Sequence, residues 1–108
     1  MDAKQTQRKQ AASAGARAHV VVKVFGAFRE RLGEGAREVE LAPGATVNDL
    51  LDTLGAALPD LVADLRKGLS DGYLNVLVDG RNARFLNGLE TQLDGGETVS
   101  FLPPIGGG

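Results

Sequence analysis

The chain contains no cysteine, which excludes disulfides, thiolate metal sites and cysteine nucleophiles. Its one histidine, His19, opens an apolar stretch and reads as a solvent-facing polar residue rather than a catalytic base. Aromatic bulk is limited to four Phe and one Tyr, so a core must be built mainly from aliphatic side chains. No apolar run approaches the length of a membrane span. The N-terminus also lacks the apolar stretch of a secretory signal, so a cytoplasmic protein without membrane contact is expected. Basic residues are scarce where they would matter for nucleic acid. Residues 1–18 hold Lys4, Arg8, Lys9 and Arg17 against Asp2, a surplus of three positive charges. Within a total of −2, the rest of the chain is left near −5. A domain this acidic is a poor match for a phosphate backbone, so no nucleic-acid partner is expected.

At 108 residues the chain holds one domain with a single modest core. Residues 1–18 are polar and Ala-rich, with no aliphatic side chain larger than Ala after Met1, and read as a disordered leader. From His19 to Phe25, Val20, Val22 and Val24 alternate with polar or opposite-facing residues, a strand pattern. Arg37 to Leu41 repeats it with Val39 and Leu41, giving an N-terminal hairpin with a long Gly-punctuated connection. After Pro43-Gly44, Thr46 and Asp49 make a capping box. Val47, Leu50, Leu51, Leu54 and Leu58 then recur at helical spacing, so one amphipathic helix runs to about Ala57 and stops before Pro59. Asp60 to Lys67 is expected to add a short helical segment over the sheet edge.

Tyr73 to Val78 is a third strand, apolar on both faces and therefore internal, ended by Asp79-Gly80. Leu86 and Leu89 fall in a compact turn or short 3₁₀ stretch. Asp94-Gly95-Gly96 turns the chain into a last strand, Glu97 to Leu102, with Val99 and Phe101 inward. This element order favours a helix packed on one face of a small mixed sheet. The first and last strands would lie parallel at the sheet centre.

Most polar residues have a plain explanation. Asp49, Asp52, Asp60 and Asp64 are spread over helical segments and loops, as on a solvated face, and no metal site is expected. Arg81 and Arg84 flank Asn82 and either meet an acidic partner surface or cap a turn. Gly95-Gly96 lacks the surroundings of a nucleotide loop and serves turn geometry. No bound cofactor is expected.

The informative stretch is Phe101-Leu102-Pro103-Pro104-Ile105-Gly106-Gly107-Gly108. Glycine opens nearly every backbone angle, and a tail without side chains can enter a very narrow channel. Pro103 and Pro104 stiffen the chain ahead of it. Residues 103–108 therefore read as a flexible Gly tail on a stiff approach, presenting a terminal carboxylate at Gly108.

The stretches VVVKVFGAFRERLG at 20–33, LAPGATVNDLLDTL at 41–54 and NVLVDGRNARFLNGLETQLDGGETVSFLPPIGG at 75–107, with Gly108, resemble the ubiquitin-like sulfur-carrier superfamily. The likeness is strongest to the small subunit of molybdopterin synthase and extends to its thiamin-pathway relative. It implies an α+β, ubiquitin-like β-grasp over residues 19–102. It also implies that Gly108, with Gly107 as its narrow neighbour, is adenylated and converted to a thiocarboxylate. Phe101, Leu102, Pro103, Pro104, Ile105 and Gly106 would then form the approach that docks on partners. Two positions depart from the molybdopterin carriers: Leu102 replaces a second bulky aromatic, and Gly106 precedes the usual glycine pair.

The partners implied are an adenylating E1-like activating enzyme, which uses the ATP, a sulfur donor protein, and a sulfur-accepting enzyme. The large subunit of molybdopterin synthase is the leading acceptor, with the sulfur destined for the dithiolene of molybdopterin. Thiamin synthesis or tRNA thiolation would use the same chemistry. A protein modifier would instead pass Gly108 to a lysine amine as an isopeptide. A plain binding module would not need Gly107 and Gly108 at all.

Overall fold

A computed structural model describes residues 18–33 and 35–103. The leader expected over 1–18 lies outside these residues except for Ala18, as do Pro104, Ile105, Gly106, Gly107 and Gly108 of the tail. Five strands form one mixed sheet in the order β2-β1-β5-β3-β4. They are β1 (Ala18–Val24), β2 (Ala36–Leu41), β3 (Asn75–Val78), β4 (Arg81–Asn82) and β5 (Thr98–Leu102). β1 and β5 run parallel at the centre, with Val22 beside Val99 and Val24 beside Phe101. β2 and β3 flank them antiparallel. This is the expected α+β β-grasp.

Alternation along the strands sorts the side chains by face. Val20, Val22, Val24, Val76, Val78, Val99 and Phe101 are buried beneath the helices. Ala18 joins this row and pairs with Leu41, so the folded strand begins one residue before the boundary drawn at His19. The other face carries Val21, Leu77, Ser100 and Leu102, all half-buried.

Two helices cover the inner face. α1 (Val47–Ala57) buries Val47, Leu50, Leu51 and Leu54, the expected stripe. The Thr46 hydroxyl oxygen accepts the Asp49 N–H at 3.2 Å, and the Asp49 carboxylate accepts the Thr46 N–H at 2.9 Å. Thr46→Ala removes the cap and is expected to cost about 1 kcal/mol. A urea titration checks this, and an unchanged midpoint would deny the box any contribution.

α2 corrects the expectation of a short segment. It spans Pro59–Asp71, longer than α1, and buries Leu61, Val62, Leu65 and Gly68. Pro59 ends α1 and also occupies the first turn of α2, where its missing N–H has no helical acceptor to lose. The helix closes at Gly72, whose φ of 84° lets its N–H reach back toward Gly68 and Leu69. Tyr73 and Leu74 donate to the Gly68 carbonyl at 2.8 and 3.0 Å. Their N–H groups are thereby drawn to the helix end, and β3 begins only at Asn75.

Asp79-Gly80 does more than end a strand. Both residues have positive φ, 51° and 83°, the backbone of a tight two-residue hairpin. The hairpin adds β4, a strand of two residues that had no signature of its own.

Candidate functional site

β5 carries the chain from the centre of the sheet toward the tail. Its position between β1 and β3 holds the exit on both sides: Asn75 is opposite Leu102, and the Phe101 carbonyl accepts the Phe25 N–H at 3.1 Å. The Phe101 side chain is fully buried. It therefore anchors the exit strand in the core, where its side chain has no exposed surface. Leu102 is half-buried on the outer face and Pro103 is exposed.

Beneath Pro103 lies a shallow apolar pocket of about 320 Å³, walled in part by Phe25, Phe28, Tyr73 and Leu74. Tyr73 is 72% and Phe25 41% exposed. Charged pairs stand around the pocket. Arg31 donates to Asp64 at 2.8 Å and lies 5.8 Å from the centre of the Phe28 ring. Lys67 donates to Asp71 at 2.8 Å. That hydrogen bond, assisted by the charge attraction, raises the Lys67 pKa above its ordinary value. Sequence reasoning missed this pocket. By pattern Phe25 ends a strand and Tyr73 starts one, and neither pattern reveals that α2 delivers Tyr73 to the pocket beside Pro103.

The acidic candidates and the glycine turn resolve as structural features. Asp49 caps α1, and Asp52 accepts from Arg66 at 2.8 Å, tying α1 to α2. Asp60 stands in the first turn of α2. Among the described residues, no group of His, Asp and Glu is arranged to hold a metal ion. The exposed His19 lies 3.7 Å from Glu40 and 4.0 Å from Glu38 across the β1–β2 pair. Glu97 closes the Asp94-Gly95-Gly96 turn by accepting the N–H groups of Asp94 and Gly95 at 2.6 and 2.7 Å. Of the flanking arginines, neither caps the turn: Asn82 does so, accepting the Arg84 N–H at 3.0 Å.

The central parallel pair of strands under a two-helix cover is a ubiquitin-like frame. A family model, described as the ThiS family, matches residues 22–108. The chain belongs to the ThiS family.

This ThiS-family chain is 36% identical to small archaeal modifier protein 3 of Haloferax volcanii over 91 residues, covering 81% of this chain and 96% of the relative. It is 33% identical over 69 residues to the sulfur carrier protein CysO of Mycobacterium tuberculosis, covering 53% and 73%. The solution structure of small archaeal modifier protein 1 from Methanosarcina acetivorans superposes with a TM-score of 0.68 at 34% identity, over 87% of this chain and all of that one. CysO of Amycolatopsis orientalis, solved in complex with BexX, gives 0.63 at 29% identity, over 82% and 99%. The chain is thus a ubiquitin-like protein of the sulfur-carrier and small-modifier family, and a relative in that family is known in complex with a partner protein. No helix among the described residues is long and apolar enough to cross a membrane.

Proposed function

We propose that the chain is a cytoplasmic sulfur carrier whose working group is the Gly108 carboxylate. The observation that carries this reading is the family match continuing through Gly108, downstream of a strand held at the sheet centre. A terminal carboxylate has a pKa near 3.5 and is an anion at neutral pH, a poor electrophile. An E1-like enzyme joins it to the AMP part of ATP and releases pyrophosphate. Hydrosulfide released by a donor protein then attacks the acyl carbon, AMP leaves with the electrons of the C–O bond and a proton is lost to water, giving a thiocarboxylate whose soft sulfur is nucleophilic, as a thiolate is. The carrier needs no base, nucleophile or metal of its own for this sequence. Its folded domain supplies recognition, while Gly107 and Gly108 enter the partner's site.

The acceptor we favour is the large subunit of molybdopterin synthase, with this chain as the small subunit. Two loaded carriers then supply the two sulfurs of each dithiolene. A second reading, a protein modifier, draws support from the 36% identity to small archaeal modifier protein 3. The two diverge at the fate of Gly108, and intact mass of the native protein separates them. Exchange of one oxygen for sulfur in the C-terminal peptide is the expected result. Gly-Gly adducts on lysines of other proteins, without any thiocarboxylate, would favour the modifier. An unmodified carboxylate that persists with activating enzyme, ATP and sulfur donor present would overturn both.

A further inference from the structure

Among the described residues three large apolar side chains stay exposed, Phe25, Tyr73 and Phe85. All three stand at the end of the sheet from which the chain leaves for the tail. Phe25 follows β1 and donates its N–H to the Phe101 carbonyl. Tyr73 borders the pocket at Pro103. Phe85 reaches the same end from the sheet edge. β4 runs antiparallel to β3, and β3 antiparallel to β5, so β4 points the way β5 does. It carries the turn of Ala83–Phe85 toward Asn75, which is opposite Leu102. Arg84 and Asn75 accordingly line one groove.

That groove, of about 640 Å³, adjoins the pocket beneath Pro103, because Leu74 is a wall of both. Apolar lining thus continues from the tail root to Leu69 and Leu89 near the sheet edge. Exposed apolar surface gathered at one end, rather than scattered singly, marks an interaction site. Charge sets the outer part of this surface apart. Arg66 is paired with Asp52, and Asp71 with Lys67, each at 2.8 Å. Arg84 is in no ion pair among the described residues. Its guanidinium stands 5.5 Å from the centre of the Phe85 ring, which is 80% exposed. Arginine and aromatic side chains are the types enriched where proteins meet. On a chain that beyond residue 18 is near −5, this unmatched cation favours a partner face bearing carboxylates.

We propose that Arg84 and Phe85 form an outer anchor by which the activating enzyme holds this chain. The enzyme presents a carboxylate to Arg84 and an apolar side chain to the groove. The inference rests on Gly108 as the working group: an enzyme that receives the tail must abut the end of the sheet from which the tail leaves. Arg84 and Phe85 lie at that end. The activating enzyme is the occupant because adenylation precedes both sulfur loading and isopeptide formation, so the assignment holds for either fate of Gly108. A narrow glycine tail alone leaves the domain free to turn about it. A second contact away from the tail root fixes that rotation and aligns the terminal carboxylate.

The test is calorimetric binding of the full chain to its activating enzyme without ATP, where no chemistry at Gly108 is read. Phe85→Ala and Arg84→Glu are each expected to weaken binding about tenfold. In ATP–pyrophosphate exchange the same variants should raise KM with kcat held. Arg81→Glu makes the same charge change at the turn end of β4, opposite Val78, and should stay within about twofold of wild type. Far-UV circular dichroism of each free variant reports whether it folds. A chain lacking Gly107 and Gly108 should still bind, and still lose affinity on Arg84→Glu, which separates this surface from the tail chemistry. Undiminished binding of both Phe85→Ala and Arg84→Glu, an equal loss with Arg81→Glu, or self-association of the free chain through Phe85 would each overturn the proposal.

Discussion

Phe101→Ala is expected to remove about 3–5 kcal/mol of stability, the range for emptying an aromatic site in a packed core. Few substitutions here should cost more. Phe101 is the largest of the fully buried side chains and lies between Val24 on β1 and Val76 on β3. Its removal leaves a void at the centre of the sheet, where strands held by ladders on both sides have little freedom to collapse. Small domains have about 5–15 kcal/mol in total, so the variant should be substantially unfolded at modest denaturant. Leu102→Ala is the control. Its side chain is half-buried on the outer face, so its loss should be far smaller. Urea titrations of both variants decide the matter. A Phe101→Ala variant within about 1 kcal/mol of wild type would show that the residue serves docking rather than the core.

That assignment of Phe101 illustrates what the sequence makes legible. Period-two alternation identified both central strands and the inward positions Val20, Val22, Val24, Val99 and Phe101. Thr46 and Asp49 located the start of α1 because capping is a local interaction. Non-local consequences were harder to read. A proline after an apolar run signals a helix stop and equally a helix start, and Leu58-Pro59 is both. The full length of α2 followed from Leu61, Val62, Leu65 and Gly68 packing inward, a stripe in which glycine stands where a larger apolar residue would mark the pattern. At Gly68 an added Cβ would lie 2.7 Å from the end of the Leu74 side chain. The glycine thus marks a close approach of the helix to the Leu74 side chain, just ahead of β3, that composition alone does not reveal. β4 was invisible for a different reason: two residues cannot establish a period, and the hairpin turn creates that strand. The pocket under Pro103 joins residues far apart in sequence, so no local pattern could assemble it.

Deleting Gly107 and Gly108 is expected to abolish sulfur loading while leaving the unfolding midpoint unchanged. The buried core described here runs from Ala18 to Phe101, so stability and chemistry should separate cleanly. Gly107→Val refines the test by keeping a terminal carboxylate on a chain of full length. A β-branched side chain next to the reacting group restricts the backbone and widens the segment that must enter the activating site. Displacement of the reacting atoms by about 1 Å typically costs roughly 100-fold in rate, and a comparable fall in adenylation is expected, read by ATP–pyrophosphate exchange. If the valine variant loads normally while the deletion, which ends in the Gly106 carboxylate, does not, the reach of the tail matters and the channel is wider than a glycine pair requires. If both variants retain the cellular activity of wild type, Gly108 is not the working group. The folded domain would then act through its surfaces alone, as a binding module does.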